Sequence, residues 1–401
     1  MPLRFVIAAL AIVLAMTAKA QDSAIDDGRQ WIDAVPPADA PALLRAASLA
    51  ARNQDAIAEP LLTAILQKEP ASESARGAYQ LLSRIYLRRG QYHRAIENLD
   101  AWARVFPGDD NVGKERADIE QFRGLPDQIS GSPERITSTH GEATDFAAPV
   151  RLDGTPANYL LDTGAWISVM TEAEAKRAHL TIRDSHGMLA ESSGRGAKIR
   201  TAVVKELLVG TRRFRNVSFA ILPDVEPWRS MPPGRGGILG IPIVLALECI
   251  RWNHGGTWEF GCSGGAASAQ PPNMVFFENH LLLASSVGGT RQFLALDTGA
   301  ETTDLNANFA RAFADDVQRN GVKGTTSVAG VGGVAEVASV TLPEVVFEIA
   351  GMPTALRAAH VSVQDNPALG GRCCVGNIGL DVLLQKGTLT IDFASMTLRL
   401  R

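Results

Sequence analysis

Tyr159-Leu160-Leu161-Asp162-Thr163-Gly164-Ala165 returns later in the chain as Leu294-Ala295-Leu296-Asp297-Thr298-Gly299-Ala300. A single Asp-Thr-Gly after an apolar run is a weak signal, because any strand entering a turn can produce it. Two copies invite comparison of their surroundings. Eight residues before each aspartate stands a turn glycine, Gly154 and Gly289, which closes a hairpin whose second strand delivers the aspartate. Nine residues after each stands a helix-capping residue: Thr171, with Glu174 as its capping-box partner, and Asn306. Each copy then has a glycine-rich hairpin tip, Gly194-Arg195-Gly196 and Gly330-Val331-Gly332-Gly333. An apolar-Gly strand follows, Ile238-Leu239-Gly240 and Ile378-Gly379, and a final hairpin turns at Gly255-Gly256 and at Ala394-Ser395. Landmarks that recur in one order at similar spacing mark an internal duplication.

A duplication that keeps two acids suits one kind of chemistry. Two carboxylates about 3 Å apart cannot both ionise, so they share a proton and titrate as a pair. One then acts as base and the other as acid at the same pH. The base takes a proton from a water lying between them, and that water attacks a carbonyl carbon. The acid hydrogen-bonds the carbonyl oxygen and later helps protonate the departing nitrogen. A near-twofold arrangement supplies one acid from each half. Thr163 and Thr298 are placed to hydrogen-bond across the junction, and Gly164 and Gly299 let the backbone turn tightly there.

With these residues in view, the chain resembles the retropepsin-like aspartic peptidases over roughly residues 140–401, and the segment Asp297-Thr-Gly-Ala-Glu-Thr-Thr303 is especially similar to the viral enzymes. The resemblance implies a closed β-lobe per half, a cleft between the lobes, and the glycine-rich hairpins as flaps over an extended peptide. Carried over by position, Asp162 and Asp297 are the catalytic pair, with Thr163, Gly164, Ala165, Thr298, Gly299 and Ala300 as supporting loops. Covalent duplication implies that one chain suffices for activity. One departure is Asn377, which stands where the family has an apolar residue and puts the packing of the second lobe in question. Another feature is Ala165 and Ala300, where pepsin-like enzymes carry a hydroxyl that steadies the ionised aspartate. Without it the pair is expected to hold its proton to higher pH, with activity from mildly acidic to neutral pH. A duplicated β-domain that grips peptides without cutting them, or that serves as an envelope scaffold, is the alternative.

Outward from the duplication, residues 38–122 read as helices. Tyr79, Leu82, Tyr86, Gly90, Tyr92, Ala95, Leu99, Trp102 and Pro107 resemble the 34-residue tetratricopeptide pattern, with a weaker copy at Ala58, Leu62 and Pro70. Two repeats are few for such an array, so packing on the rest of the chain, or a third helix pair, is expected. Such helices either bind a protein partner or prop the catalytic part. Before them, Arg4, the apolar run Phe5–Met16 and Ala18-Lys19-Ala20 read as a signal peptide cleaved after Ala20, which predicts an exported, periplasmic or secreted protein. No later stretch is long and apolar enough to span a membrane.

Composition bounds the rest. Apolar residues make up 46% and charged residues 20% of 401, at a net charge of −4, so sizeable cores are available. No basic block points to nucleic acid. No His/Cys cluster has metal-ligand spacing, and no cofactor is implied. Cys249 and Cys262 flank the hairpin Ile250–Gly261 and face each other across it, a plausible disulfide. Adjacent Cys373 and Cys374 are expected as buried free thiols. The predicted fold is α+β multidomain: a signal peptide (1–20), tetratricopeptide-like helices (21–125), a linker (126–140), and two all-β closed-barrel lobes (141–265 and 266–401) related by pseudo-twofold symmetry. The predicted activity is an aspartic endopeptidase acting on a peptide or protein substrate.

Overall fold

The computed structural model describes residues 28–131, 135–139, 146–189, 197–222, 226, 228–262, 271–330, 333–364 and 373–401. The signal segment, the first flap tip (Gly194, Arg195, Gly196) and two residues of the second (Val331, Gly332) lie outside them.

The helical part runs through Ala42–Ala51, Asp55–Lys68, Glu73–Arg88, Tyr92–Val105 and Asp110–Ile119, and ends in a 3-10 turn, Glu120–Phe122. Small residues at the helix contacts (Ala46, Ala58, Ala78, Ala95) and the large Leu62, Leu99 and Trp102 are all buried together. Small residues let backbones approach while large ones fill the space between them. Ser72 caps the helix Glu73–Arg88 by accepting from the Ala75 amide. None of the helices among the described residues is long and apolar enough to cross a membrane.

The first lobe holds β1 (Ile129–Ser130), β3 (Ala147–Leu152), β4 (Thr155–Leu161), β5 (Ser168–Thr171), β6 (Ile182–Leu189), β7 (Ala197–Val209), β8 (Arg212–Leu222) and β9 (Gly237–Leu239). Its sheet runs β1-β8-β5-β9-β4-β3-β7-β6, and a further β7–β8 pairing closes six of these strands into a barrel. The second lobe holds β12 (Met274–Phe277), β13 (His280–Val287), β14 (Thr290–Leu296), β15 (Asp304–Leu305), β16 (Val322–Gly330), β17 (Gly333–Ile349), β18 (Met352–Ser362) and β19 (Gly376–Ile378). Its order is β12-β13-β14-β19-β15-β18-β17-β16, with β13–β17 closing the same kind of ring. Gly154 and Gly289 take positive φ (+90° and +77°) in the two hairpin turns, where a side chain would be strained. Thr171 and Asn306 cap the short helices that follow, as read from the sequence.

The final hairpins leave their lobes. β2 (Ile136–Thr139), β10 (Cys249–Asn253), β11 (Thr257–Phe260), β20 (Thr388–Asp392) and β21 (Thr397–Leu400) form one sheet in the order β2-β11-β10-β20-β21. β10 and β20 pair antiparallel about Arg251↔Thr390, so each lobe contributes its own hairpin to a shared sheet. Trp252, Trp258, Phe260 and Ile391 are buried there, and the two lobes share one apolar cluster. Cys249 and Cys262 are disulfide-bonded across this hairpin. Cys373 and Cys374 are bonded to each other too, which corrects the expectation of free thiols. That expectation rested on adjacent cysteines seldom bonding to each other; the pair is buried with Trp31, Ile32 and Phe277.

Candidate active site

Each aspartate stands one residue past the end of a strand buried in its lobe. β4 pairs parallel with β9 (Leu160↔Ile238, Leu161↔Leu239), and β14 pairs parallel with β19 (Ala295↔Asn377, Leu296↔Ile378). The backbone continues the match: the Asp162 amide donates to Leu239 O at 3.0 Å and the Asp297 amide to Ile378 O at 3.1 Å. The apolar-Gly strands therefore hold the two acids at equivalent places. Gly240 and Gly379 follow because a Cβ on either would lie within 3 Å of the carbonyls of the opposing loop, Ala165 and Ile167 in one lobe, Ala300 and Thr302 in the other.

The two loops are locked together by their threonines. Thr163 Oγ1 donates to Leu296 O (2.7 Å) and accepts from the Thr298 amide (3.1 Å). Thr298 Oγ1 donates to Leu161 O (2.6 Å) and accepts from the Thr163 amide (3.1 Å). The exchange is reciprocal, and both threonines are buried. The pseudo-twofold axis passes between them.

Beside this lock the carboxyl groups meet. Gly164 and Ala165 amides donate to Asp162 Oδ1 at 2.7 and 3.1 Å, and Gly299 and Ala300 amides donate to Asp297 Oδ1 at 3.0 and 3.1 Å. The inner oxygens are thus fixed, and Asp162 and Asp297 hydrogen-bond each other. A Cβ on Gly164 would come within 2.7 Å of the Asp297 carboxylate, and one on Gly299 within 2.2 Å of Asp162, so only glycine admits the facing acid. Burial pushes the Asp162 carboxyl well above the usual carboxylate range, and the charge of Asp297 adds to it. Burial raises Asp297 as well, while the amides of Gly299 and Ala300 and the bond from Asp162 hold it back. Such a pair keeps one proton at pH values where a free carboxyl has lost it.

Asn377 was read from the sequence only as a departure that threatened packing. The strand pairs normally, and the side-chain amide points at the site, with Nδ2 3.5 Å from Asp297 Oδ2. Its twofold equivalent is Ile238, so the two acids have different neighbours. The signal was present: a polar side chain in a strand otherwise apolar. The glycine-rich tips expected as flaps belong to the hairpins β6/β7 and β16/β17, and in the second Gly330 pairs with Gly333 at the described end of the ladder. Among the described residues, no group of three or more His, Cys, Asp or Glu side chains is arranged to hold a metal ion.

Residues 148–243 match the profile of a family described as aspartyl protease. The first lobe matches the aspartyl proteases. A solved structure of a retropepsin-like aspartic protease from Rickettsia conorii is 15% identical, with 33% of this chain and 92% of that one covered at a TM-score of 0.23. No curated protein matches the chain. The profile match agrees with the likeness to aspartic peptidases read from the sequence.

Proposed function

We propose that this chain is an exported aspartic peptidase that hydrolyses peptide bonds with a water activated between Asp162 and Asp297. The observation that carries this is the pair of buried carboxyls, each anchored by two amides of its own loop and hydrogen-bonded to the other. Asp162, which burial and its neighbour keep protonated, is the acid toward the substrate carbonyl oxygen. Asp297, steadied by its loop amides and faced by the Asn377 amide, is the base that takes the proton of the attacking water. The water oxygen bonds to the carbonyl carbon as Asp297 takes its proton and Asp162 gives its own to the carbonyl oxygen. The resulting gem-diol collapses as Asp297 passes the water's proton to the nitrogen, the C–N bond breaks, and Asp162 recovers a proton from a diol hydroxyl. One chain supplies both acids, so a monomer is sufficient. The flaps cover an extended peptide, the tetratricopeptide-like helices are a second surface available to a protein partner, and the location is periplasmic or secreted.

The test is cleavage of a mixed peptide library by the purified chain from pH 4 to 8, beside Asp162→Asn and Asp297→Asn. Cleavage by the parent and by neither variant supports the reading. Cleavage that survives either substitution rejects the pair as the catalytic unit.

A further inference from the structure

The two halves of the site are not equally open. In the first lobe the turn after Asp162 runs under the helical part: Phe122 stacks on Tyr92 (ring centroids 4.2 Å apart) and meets Trp166 edge-on at 6.2 Å. Ala165, Ile167, Val169, Ala220, Leu222 and Ile238 pack into the same apolar cluster as the helices. The roof is touched from the same place. Ser185, in the first flap strand, donates from Oγ to Gln121 O at 3.3 Å, beside the register shift between Asp184 and Met188. One 3-10 turn, Glu120–Phe122, therefore reaches both the floor and the flap of the first lobe.

Pseudo-symmetry supplies the control. Strand registers make Ile238 equivalent to Asn377, Val169 to Asp304, Ala220 to His360 and Leu222 to Ser362, and the dyad loops make Ile167 equivalent to Thr302. The first-lobe residue is apolar and buried at each position, whereas its partner is polar and exposed or half-buried. Asn377 reaches the Asp297 carboxylate, so this face abuts the acids. Glu301, four residues after Asp297, is exposed where Trp166 is half-buried against Phe122.

The cover is not built to leave. Gln128 donates from Nε2 to Pro242 O at 2.9 Å in the first lobe. Arg29 donates to Cys373 O at 2.8 Å, Asn53 donates to Phe393 O at 3.0 Å, and the Arg88 guanidinium lies over the Phe276 ring, so the helices grip the second lobe and the shared sheet as well. Displacing them exposes a continuous apolar core.

Resting on the peptidase reading, we propose that the helical part is a permanent wall ending the first-lobe half of the cleft. The substrate is then a peptide end: few residues fit between the scissile bond and the Phe122–Trp166 wall, and the rest of the peptide extends across the second lobe. This narrows the endopeptidase expectation to cleavage near a terminus.

The test uses the full chain and peptides carrying a non-cleavable hydroxyethylene unit at the scissile position, extended one residue at a time in each direction. Lengthening toward the open side is expected to tighten binding by about tenfold in total. Lengthening toward the wall is expected to stop helping after one or two residues, and Phe122→Ala, with Phe122→Leu as the folded control, is expected to restore the gain. A cyclic peptide containing a cleaved sequence is expected to survive. Equal gains in both directions, or cleavage of the cyclic peptide, overturn the wall and leave the peptidase reading intact. Failure of every peptide to bind in any form overturns both.

Discussion

Replacing Thr298 with valine isolates the lock between the lobes, because the side chain keeps its shape and loses only the hydroxyl. Two buried hydrogen bonds go with it. Leu161 O loses its 2.6 Å donor and the Thr163 amide loses its 3.1 Å acceptor. Thr298 is wholly buried and Thr163 is 2% exposed, so water does not replace the missing partner. An unsatisfied buried group costs about 1–3 kcal/mol, so the pair costs about 2–6 kcal/mol. The reciprocal exchange predicts a similar cost for Thr163→Val, and the double variant should cost less than the sum because the two hydroxyls lie 3.4 Å apart in one network. Urea unfolding followed by tryptophan fluorescence reports it, since Trp252 and Trp258 are buried in the sheet joining the lobes. Hydrogen exchange at the Thr163 amide gives a local readout and should accelerate. Thr302→Val, at an exposed position, is the control and should stay within about 0.5 kcal/mol. A change below about 0.5 kcal/mol for Thr298→Val, at unchanged m-value, would refute the claim that this exchange holds the halves in register.

Gly299→Ala places a Cβ about 2.2 Å from Asp162 Oδ2 and should separate the acids, abolishing cleavage while circular dichroism stays native; retained activity would show that the loops yield. Asn377→Ile copies the first-lobe residue and removes an N–H that favours ionised Asp297, so the acid limb of the pH–rate profile should move upward, by at most about one unit for a 3.5 Å contact. A downward move would contradict the assignment of Asp297 as base. Outside the site, burial and the Glu115 charge push Asp118 up to about 7. A carboxyl raised on folding contributes most below its unfolded pKa near 4 and progressively less as pH rises through its folded value, by up to about 1.4 kcal/mol per pH unit. Asp118→Asn should therefore flatten the decline in stability between about pH 4 and 7, which unfolding at a series of pH values would detect.

What the sequence made legible was whatever it said twice. Two Asp-Thr-Gly-Ala segments, paired turn glycines, paired caps and paired apolar-Gly strands mark the duplication, and each mark is a local rule about backbone geometry or hydrogen bonding. Such rules survive without knowledge of the tertiary fold. The shared sheet escaped because pairing Ile250 with Ile391 joins residues far apart in sequence, and nothing within either hairpin names its neighbour. The role of the helices escaped for the same reason. Their buried face was visible as tetratricopeptide-like spacing, but what it meets was not. Strand register supplies that answer: Ile238 against Asn377, Val169 against Asp304 and Ala220 against His360 become comparable only once β9, β5 and β8 are matched with β19, β15 and β18. Asn377 illustrates the limit from the other side. Judged as one strand residue it is a packing defect; set against its twofold partner it marks the lobe whose face is left bare, beside the acid that its amide contacts. Symmetry places Asp162 and Asp297 at equivalent positions, and the breaks in symmetry leave the flank beside Asp297 bare while covering the one beside Asp162.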